Sequence, residues 1–379
     1  KIYPQRVTGT YRRIKWAVLF VTLGIYYLLP FVRWDRGPNA PDQAVLVDLA
    51  NSRFYFFFIE IWPQEVYYLT GLLIIAALTL FLMNALAGRV WCGYLCPQTV
   101  WTDLFMLVER LIEGDRNDRM RLDKAPMSAS KALKKSSKHV AWLLIAAATG
   151  GAWVFYFVDA PTTLVRIFKG TASYEVYFCI GLLTATTYTL AGWAREQVCT
   201  YMCPWPRFQA AMLDEQSLIV TYQKWRGEKR GKHKAGDSWE GRGDCVDCSL
   251  CVAVCPTGID IRNGLQYECI GCGACIDVCN TVMDKLGYAP GLVKYATQNA
   301  MQNKWTRSQI WGRVLRPRVL IYAGILLALC VALVVSLSLR HTLKVDVIRD
   351  RTSLARITEE GTIENIYRFQ LMNATEKNQ

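Results

Sequence analysis

Histidine is scarce in this chain of 379 residues, which has only His139, His233 and His341. The three lie far apart in the sequence, so no pair is placed to ligate a haem within a helical bundle. The sequence also has no G-x-G-x-x-G, no P-loop and no nucleophile elbow, so neither dinucleotide binding nor phosphoryl transfer has support. By contrast, the chain has 14 cysteines and long apolar runs, and these carry the interpretation that follows.

Apolar residues make up 52% of the chain and are concentrated in long blocks. A transmembrane helix needs roughly 20 consecutive, mainly apolar residues to cross the hydrocarbon core. A single block can also be a buried core helix, but several together favour membrane spans. The sequence therefore predicts a mainly α membrane protein with about five transmembrane helices, near residues 14–32, 66–88, 139–158, 174–194 and 319–339.

Basic residues indicate how these helices are oriented. Of the 44 lysines and arginines, 32 fall in segments 1–15, 89–138 and 195–318, whereas loops 33–65 and 159–173 hold only three and two. Short basic loops remain on the cytoplasmic side of a membrane. The N-terminus and both large loops are thus predicted to be cytoplasmic, and the tail after Arg340 lies outside. The net charge of +13 follows from this topology and from contact with lipid headgroups, so no nucleic-acid partner is expected.

Eight cysteines fall within residues 245–280, where C-x2-C-x2-C-x3-C occurs twice at an interval of 24 residues. All the cysteines except Cys179 and Cys330 lie on the predicted cytoplasmic side, where thiols stay reduced, so a disulfide framework is disfavoured. Zinc sites usually use two CxxC pairs with a longer spacer. The doubled pattern is that of bacterial ferredoxins, which indicates two 4Fe-4S clusters.

In two-cluster ferredoxins the fourth cysteine of each run binds the other cluster. By this resemblance, one cluster is predicted to bind Cys245, Cys248, Cys251 and Cys279. The other is predicted to bind Cys269, Cys272, Cys275 and Cys255. Asn280 stands where the second run of a ferredoxin has proline, which affects the local turn and leaves the ligand count intact. Gly271 and Gly273 suit a backbone that must approach inorganic sulfur closely.

A second repeat contains the other four cytoplasmic cysteines. Aligning Cys92 with Cys199 superposes a C-x-Y-x-C-P motif in GRVWCGYLCPQTVW on one in REQVCTYMCPWPRF. Residues at i and i+4 lie on one face of a helix, so each motif can aim two sulfurs in one direction. Pro97 and Pro204 should each open a new helix. We call Cys92, Cys96, Cys199 and Cys203 the cysteine quartet.

The quartet lies close in sequence to basic residues. Arg89, Arg195 and Arg207 are expected to lower the pKa of these thiols, so that they are partly thiolate. Thiolates bind soft metal ions or take part in redox exchange. The alternative is that the four cysteines only pack in a protein interior.

The remaining segments complete the predicted domain organisation. The charged, glycine-rich segment 224–244 is predicted to be a flexible tether, and 113–138 a second one. In the tail, apolar residues recur with a period of two in LKVDVI and in IENIYRFQL, and a turn is predicted between them at Gly361 and Thr362. Two or three strands cannot bury a core alone, so the tail is interpreted as the start of a larger β-domain or as a sheet completed by a partner. The predicted domains are a membrane domain at 1–223, a tether at 224–244, a ferredoxin-like domain at 245–317, a last span at 318–340 and the tail at 341–379.

Several segments resemble signatures of the FixG/CcoG/RdxA family of membrane iron-sulfur proteins: GRVWCGYLCPQTVW, CTYMCPWPRFQAAMLDEQSLIVTY, CPTGIDIRNGLQYECIGCGACIDVC and MDKLGYAPGLVKY. The resemblance covers nearly the whole chain. It implies a protein of the bacterial inner membrane with a periplasmic immunoglobulin-like domain, of which residues 340–379 are only the beginning. It also implies that the protein reduces Cu(II) to Cu(I) for the copper centre of a cbb-type cytochrome c oxidase, with a copper chaperone or oxidase assembly components as partners.

On this basis the quartet is predicted to be the catalytic and copper-binding site, because thiolates prefer Cu(I). Two other functions stay open: a quinol dehydrogenase subunit similar to the NapH type, and an assembly scaffold whose clusters only sense redox state. The sequence leaves the electron donor open between a cytoplasmic protein and a quinol. It also leaves open whether copper binds within one chain or within a homodimer.

Overall fold

The computed structural model describes residues 2–37, 40–232, 240–312, 314–340, 343–349 and 356–373. His233, His341 and the middle of the predicted tether lie outside these residues. The longer helices are α1 Thr10–Leu28, α2 Tyr67–Ala87, α3 Pro97–Glu113, α4 Arg116–Lys124, α5 Ala129–Val154, α6 Ala160–Lys169 and α7 Tyr174–Thr187. Then follow α8 Arg195–Gln197, α9 Trp205–Met212, α10 Lys224–Gly227, α11 Leu250–Ala253, α12 Ala274–Leu286, α13 Gln298–Gln302, α14 Arg307–Gly312 and α15 Pro317–Ser338. The strands are β1 Val45–Asp48, β2 Arg53–Phe56, β3 Ile59–Ile61, β4 Ile219–Tyr222, β5 Val293–Ala296, β6 Leu343–Arg349, β7 Arg356–Ile357, β8 Ile363–Glu364 and β9 Tyr367–Asn373.

Four helical segments of the described chain have the length and hydropathy to cross a membrane: Thr10–Phe31, Pro63–Ala87, Tyr174–Trp193 and Pro317–Ser338. Only 6% to 17% of the residues in their most apolar stretches are buried inside the protein. Such exposed apolar surface is stable against lipid tails and not against water. These four segments coincide with four of the five predicted spans, and the protein is a membrane protein.

The fifth predicted span, 139–158, falls on α5, which is not one of those four segments. The helix begins with a polar stretch, ASKALKKSSKH, and its apolar part packs between α3 and α7. There the Trp142 indole stacks on Phe105, with ring centroids 5.3 Å apart. The other face of α5 exposes Leu143 and Leu144, which are 44% and 67% exposed. Since α5 is not among the segments with the hydropathy of a span, a count of five spans remains a prediction.

The predicted tether at 113–138 is wrong, since it contains α4 and the first turns of α5. Arg119 of α4 is only 1% exposed. Its guanidinium donates hydrogen bonds to Glu109 Oε2 at 2.9 Å and to the Pro4 carbonyl at 2.7 Å. A buried ion pair of this kind fixes the segment against α3 and the N-terminus.

The cluster domain begins earlier than predicted, because β4 pairs antiparallel with β5 and Val220 stands opposite Tyr295. Val220 and Tyr222 are buried in one core with Ile261, Ile276, Met283, Leu292 and Val293. Residues 219–222 therefore belong to the ferredoxin-like domain and not to the membrane domain. The alternation of buried and half-buried residues in IVTY is the signal for this strand.

The described ends of the predicted 224–244 tether are hydrogen-bonded and not free. The amide of Gly243 donates to the Lys229 carbonyl at 3.0 Å, and the amide of Gly231 to the Cys245 carbonyl at 3.1 Å. The Arg226 guanidinium pairs with Asp244 and also donates to the Pro290 carbonyl at 3.1 Å. Both ends of the segment are thus attached to the cluster domain.

Three small sheets of the described chain lie at the other end of the helices. Strands β1, β2 and β3 form a sheet that the sequence analysis missed. Near it, the Arg340 guanidinium donates to the Glu60 carbonyl at 2.6 Å and pairs with Glu65 at 3.2 Å. In the tail, β6 pairs with β9 and β7 with β8. LKVDVI is confirmed as a strand, whereas IENIYRFQL is divided into β8 and β9, and the turn at Gly361 joins β7 to β8.

Candidate functional site

The first set of predicted cluster ligands surrounds one cavity. Cys245, Cys248, Cys251 and Cys279 all line it, and its empty volume is about 390 Å³. Leu292 and Val293 close it from the β5 side. Cys279 comes from the second cysteine run, on α12, while the other three come from the first run. The fold therefore brings together the crossed set that the ferredoxin pattern predicts.

The second set surrounds a neighbouring cavity. Cys255, Cys269, Cys272 and Cys275 line a space with an empty volume of about 360 Å³. Cys251 lines this cavity as well as the first. Two clusters held in these cavities would be direct neighbours, an arrangement suited to electron transfer between them.

The backbone around the second cavity is shaped by glycine. Gly271 and Gly273 have φ angles of +66° and +74°, in the left-handed region that other residues rarely adopt. This conformation lets the amides of Gly271 and Ala274 hydrogen-bond the sulfurs of Cys269 and Cys272. Hydrogen bonds to ligand sulfurs stabilise their negative charge and tune a cluster's potential.

At several cluster cysteines, burial favours the neutral thiol. Burial raises the pKa of Cys251 to about 11 and those of Cys269 and Cys279 to about 12. Metal sites need the thiolate, so binding must displace these protons. Buried sulfurs around a closed apolar cavity fit an iron-sulfur cluster, whose own charge replaces the lost protons.

The quartet motifs form π-helical turns and not the predicted α-helices. One turn spans Trp91–Leu95 and the other Val198–Met202. Single π turns inside α-helices occur frequently at functional sites. Pro97 begins α3, as predicted, and Pro204 directly precedes α9.

The quartet sulfurs lie close enough to influence one another, and at Cys92 and Cys199 the pKa is raised and not lowered as predicted. Burial, followed by the charges of Cys96 and Cys199, raises the pKa of Cys92 to about 12. Burial and Cys96 raise the pKa of Cys199 to about 11. Arg195 pairs with Glu109 at 2.5 Å, and Arg89 donates to backbone carbonyls and lowers the pKa of Cys92 by less than burial raises it.

The second motif opens onto a surface cavity with an empty volume of about 1040 Å³. Cys199 and Cys203 line it together with Arg207. Its opposite side is formed by Tyr267 and Glu268, which directly precede Cys269 of the second cluster set. In the described part of the chain, no three His, Cys, Asp or Glu side chains are placed to hold a single metal ion. Cys199 and Cys203 are therefore accessible, and the quartet is not a closed metal cage.

The cluster domain is docked onto the membrane domain by contacts that the sequence analysis missed. The Asp277 carboxylate of α12 accepts hydrogen bonds from the amides of Tyr11 and Arg12, at 3.2 and 2.8 Å, in the first turn of α1. A carboxylate at a helix N-terminus satisfies free amides and the helix dipole. In a second docking contact, the buried Arg89 guanidinium, just after α2, donates to the carbonyls of Tyr267 and Cys269 in the cluster domain, at 2.6 and 3.0 Å.

A close backbone contact at Gly93 explains why the first motif has glycine where the second has threonine. A Cβ atom there would lie 2.8 Å from the Ile270 carbonyl oxygen and 3.1 Å from Cys272 Cα. The corresponding residue of the second motif is Thr200, which faces the open cavity. Glycine is needed only where the motif packs on the backbone of the second cluster loop.

We predict that Gly93→Val weakens this docking by about 1–3 kcal/mol, the usual cost of overpacking a close contact. Thermal denaturation in detergent measures the loss, and Thr200→Val is the matched control because it faces open space. Equal stability of the two variants would show that the contact at Gly93 is not required.

Three sequence families match parts of the chain. Residues 69–113 match a 4Fe-4S binding domain, residues 194–298 a 4Fe-4S dicluster domain, and residues 333–379 the IG-like fold at the C-terminal of FixG. Together with the two cavities, these matches support two 4Fe-4S clusters. They also support an immunoglobulin-like assignment for the tail.

Curated relatives match almost the entire chain. The nitrogen fixation protein FixG of Rhizobium meliloti is 52% identical over 402 residues, covering 98% of this chain and 76% of the relative. The proteins RdxB and RdxA of Cereibacter sphaeroides are 53% and 49% identical, covering 98% of this chain and 79% of each relative. No solved structure matches. Near-full-length identity of this order establishes that the chain belongs to the FixG/RdxA family.

Proposed function

We propose that the chain reduces Cu(II) to Cu(I) at the cysteine quartet, with electrons drawn from its iron-sulfur domain. The observation that carries the proposal is that the 266–272 loop packs on the first quartet motif and faces the second across an open cavity. Gly93 contacts this loop from the first motif, and Tyr267 and Glu268 share a cavity with Cys199 and Cys203. A copper ion in that cavity would lie beside the ligands of the second cluster.

The iron-sulfur clusters and the proposed copper site both exchange one electron at a time. Each 4Fe-4S cluster, when bound, supplies a one-electron carrier, and Cu(II) needs one electron to become Cu(I). In the cavity, Glu268 offers a carboxylate that attracts Cu(II). Thiolates prefer Cu(I), so Cys199 and Cys203 favour the reduced product. Cys92 and Cys199, whose pKa values are raised, must lose their protons when they bind copper.

The test is the double substitution Cys92→Ser with Cys199→Ser. Cupric reduction by the anaerobically prepared, dithionite-reduced protein is expected to fall to background, while its visible absorption and iron content stay unchanged. The matched control is Cys179→Ser with Cys330→Ser, which replaces two cysteines outside every site described above. Undiminished copper reduction, or loss of iron from the quartet variant, would refute the copper assignment.

Turnover separates this function from that of a redox-sensing scaffold. A reductase is expected to reduce many equivalents of Cu(II) per chain when a reductant is supplied, whereas a scaffold reduces only as many as its clusters hold. A second rival, a quinol dehydrogenase of the NapH type, would oxidise quinol without delivering electrons to copper. Copper reduction beyond the stored electrons is the outcome that supports the proposal.

The cellular setting is part of the same proposal. We infer that the protein lies in the bacterial inner membrane with the N-terminus, quartet and clusters in the cytoplasm and the tail in the periplasm. The basic residue distribution supports this orientation. Its Cu(I) would serve assembly of a cbb-type oxidase, with a copper chaperone or assembly factors as recipients.

A further inference from the structure

A large cavity between the membrane helices and the cluster domain plays no part in copper reduction as proposed. Its empty volume is about 1480 Å³ and its lining is mostly apolar. Among the residues that line it are Val18, Ala87, Tyr94, Leu218, Lys294 and Tyr295.

One side of this cavity belongs to the membrane. Ile14 and Val18 lie in the first turns of α1, and Ala87 is the last residue of α2. Both helices are among the candidate membrane spans. The cavity thus lies where these spans end, at the level where a lipid-soluble molecule can enter from the bilayer.

The other side belongs to the second cluster loop. The Tyr94 hydroxyl donates a hydrogen bond to the Cys272 carbonyl at 3.1 Å, and the Tyr295 hydroxyl donates to the Gly271 carbonyl at 2.5 Å. Both tyrosines line the cavity. A molecule in the cavity is therefore separated from a predicted cluster ligand by one side chain.

The lining also has the chemistry to orient an aromatic ring with oxygen substituents. Tyr11 and Tyr295 pack edge to face with ring centroids 5.1 Å apart and present aromatic surface. The Lys294 ammonium is the charged donor of the lining. An acyl chain would use the apolar walls but neither the aromatic rings nor the lysine.

We propose that this cavity binds a membrane quinol and that electrons enter the protein here. Oxidation of one quinol to quinone breaks two O–H bonds and releases two electrons and two protons. The electrons pass to the two 4Fe-4S clusters, one to each, and the protons leave to water. Two Cu(II) ions are reduced per quinol. This inference rests on the proposed electron transfer to copper and names its donor.

The experiment uses the full chain, purified without oxygen, with decylubiquinol and with menadiol as probes and no copper present. At least one quinol is expected to bleach the visible absorption of the clusters. Val18→Trp, which narrows the cavity at its membrane side, should slow this bleaching at least tenfold, while dithionite should bleach the variant normally. Val21→Trp is the matched control, because Val21 lies on the same helix, is 61% exposed and does not line the cavity.

A second readout does not depend on the clusters. An azido-quinone photolabel is expected to attach to peptides that contain residues 11–18 or 294–295 in the wild type, and not in Val18→Trp. Bleaching by dithionite but by neither quinol, or equal labelling of the two proteins, would overturn the cavity assignment. If dithionite-reduced protein still reduces Cu(II) in that case, the proposed function stands without this donor. If quinol bleaches the clusters but Cu(II) is never reduced, the cavity assignment stands and the copper function falls.

Discussion

Replacing Cys279 with alanine is expected to remove one cluster and leave the other in place. The side chain lies in the second cysteine run, yet it lines the cavity formed by Cys245, Cys248 and Cys251 of the first. Alanine has no ligand atom, and a 4Fe-4S cluster needs four thiolates. Iron in the anaerobically purified protein should therefore fall from about eight to about four atoms per chain. Spin coupling between the two reduced clusters should disappear from the EPR spectrum.

Double variants show which cluster has been lost. Cys279→Ala combined with Cys248→Ala should keep about four irons, because both residues belong to one site. Cys279→Ala combined with Cys272→Ala should lose nearly all iron, because the two residues belong to different sites. The reverse pattern would mean that each run binds its own cluster. Cys330→Ala, in α15, serves as the control that retains the full iron content.

The cluster ligands could be predicted from the sequence because their spacing is local. Two-residue gaps between cysteines place three sulfurs around one point whatever the rest of the chain does. The duplication at 24 residues then indicates a second site. Four of the membrane spans could also be predicted from the sequence. A long uninterrupted apolar run such as VLIYAGILLALCVALVVSLSL is stable in the hydrocarbon core of a bilayer and in few other environments.

The docking of the cluster domain could not be predicted, because it depends on pairs that are distant in sequence. Asp277 caps a helix that begins more than 260 residues earlier, and Arg89 binds carbonyls some 180 residues later. In the sequence alone, neither Asp277 nor Arg89 can be told from an ordinary charged residue at the surface. Gly93 carried a weak signal, since it is the residue that breaks the similarity between the two motifs.

The error over thiol pKa values has a similar cause. Neighbouring arginines in the sequence predict thiolates only if their guanidinium groups reach the sulfurs. Here Arg195 is held by Glu109 and Arg89 by the cluster loop, so burial determines the pKa of Cys92. The charge of Arg89 still lowers the pKa of Cys92, but burial raises it by more.

A buried ionic network joins the two halves of the membrane domain at Glu109, which is 1% exposed. Its carboxylate pairs with Arg195 at 2.5 Å, with Arg119 at 2.9 Å and with Lys138 at 3.7 Å. Burial alone would raise the pKa of Glu109, but the hydrogen bond and charge of Arg195, then Lys138 and Arg119, lower it overall. Its stabilising effect is thus complete above the unfolded-state pKa of about 4.3 and is lost as the pH falls through the folded-state value.

Glu109→Gln is therefore expected to destabilise the protein by about 3–5 kcal/mol, because it leaves buried cations without their counter-charge. The side chain keeps its shape, so the loss comes from charge and not from packing. Thermal denaturation in detergent at neutral pH measures it, with Glu215→Gln as the control at an exposed position. The difference between wild type and Glu109→Gln should shrink as the pH falls below the unfolded-state pKa of about 4.3, and it should vanish once the folded-state carboxylate is also protonated. A difference that does not depend on pH would mean that Glu109 contributes shape or hydrogen bonding, and that its charge does not hold the two halves together.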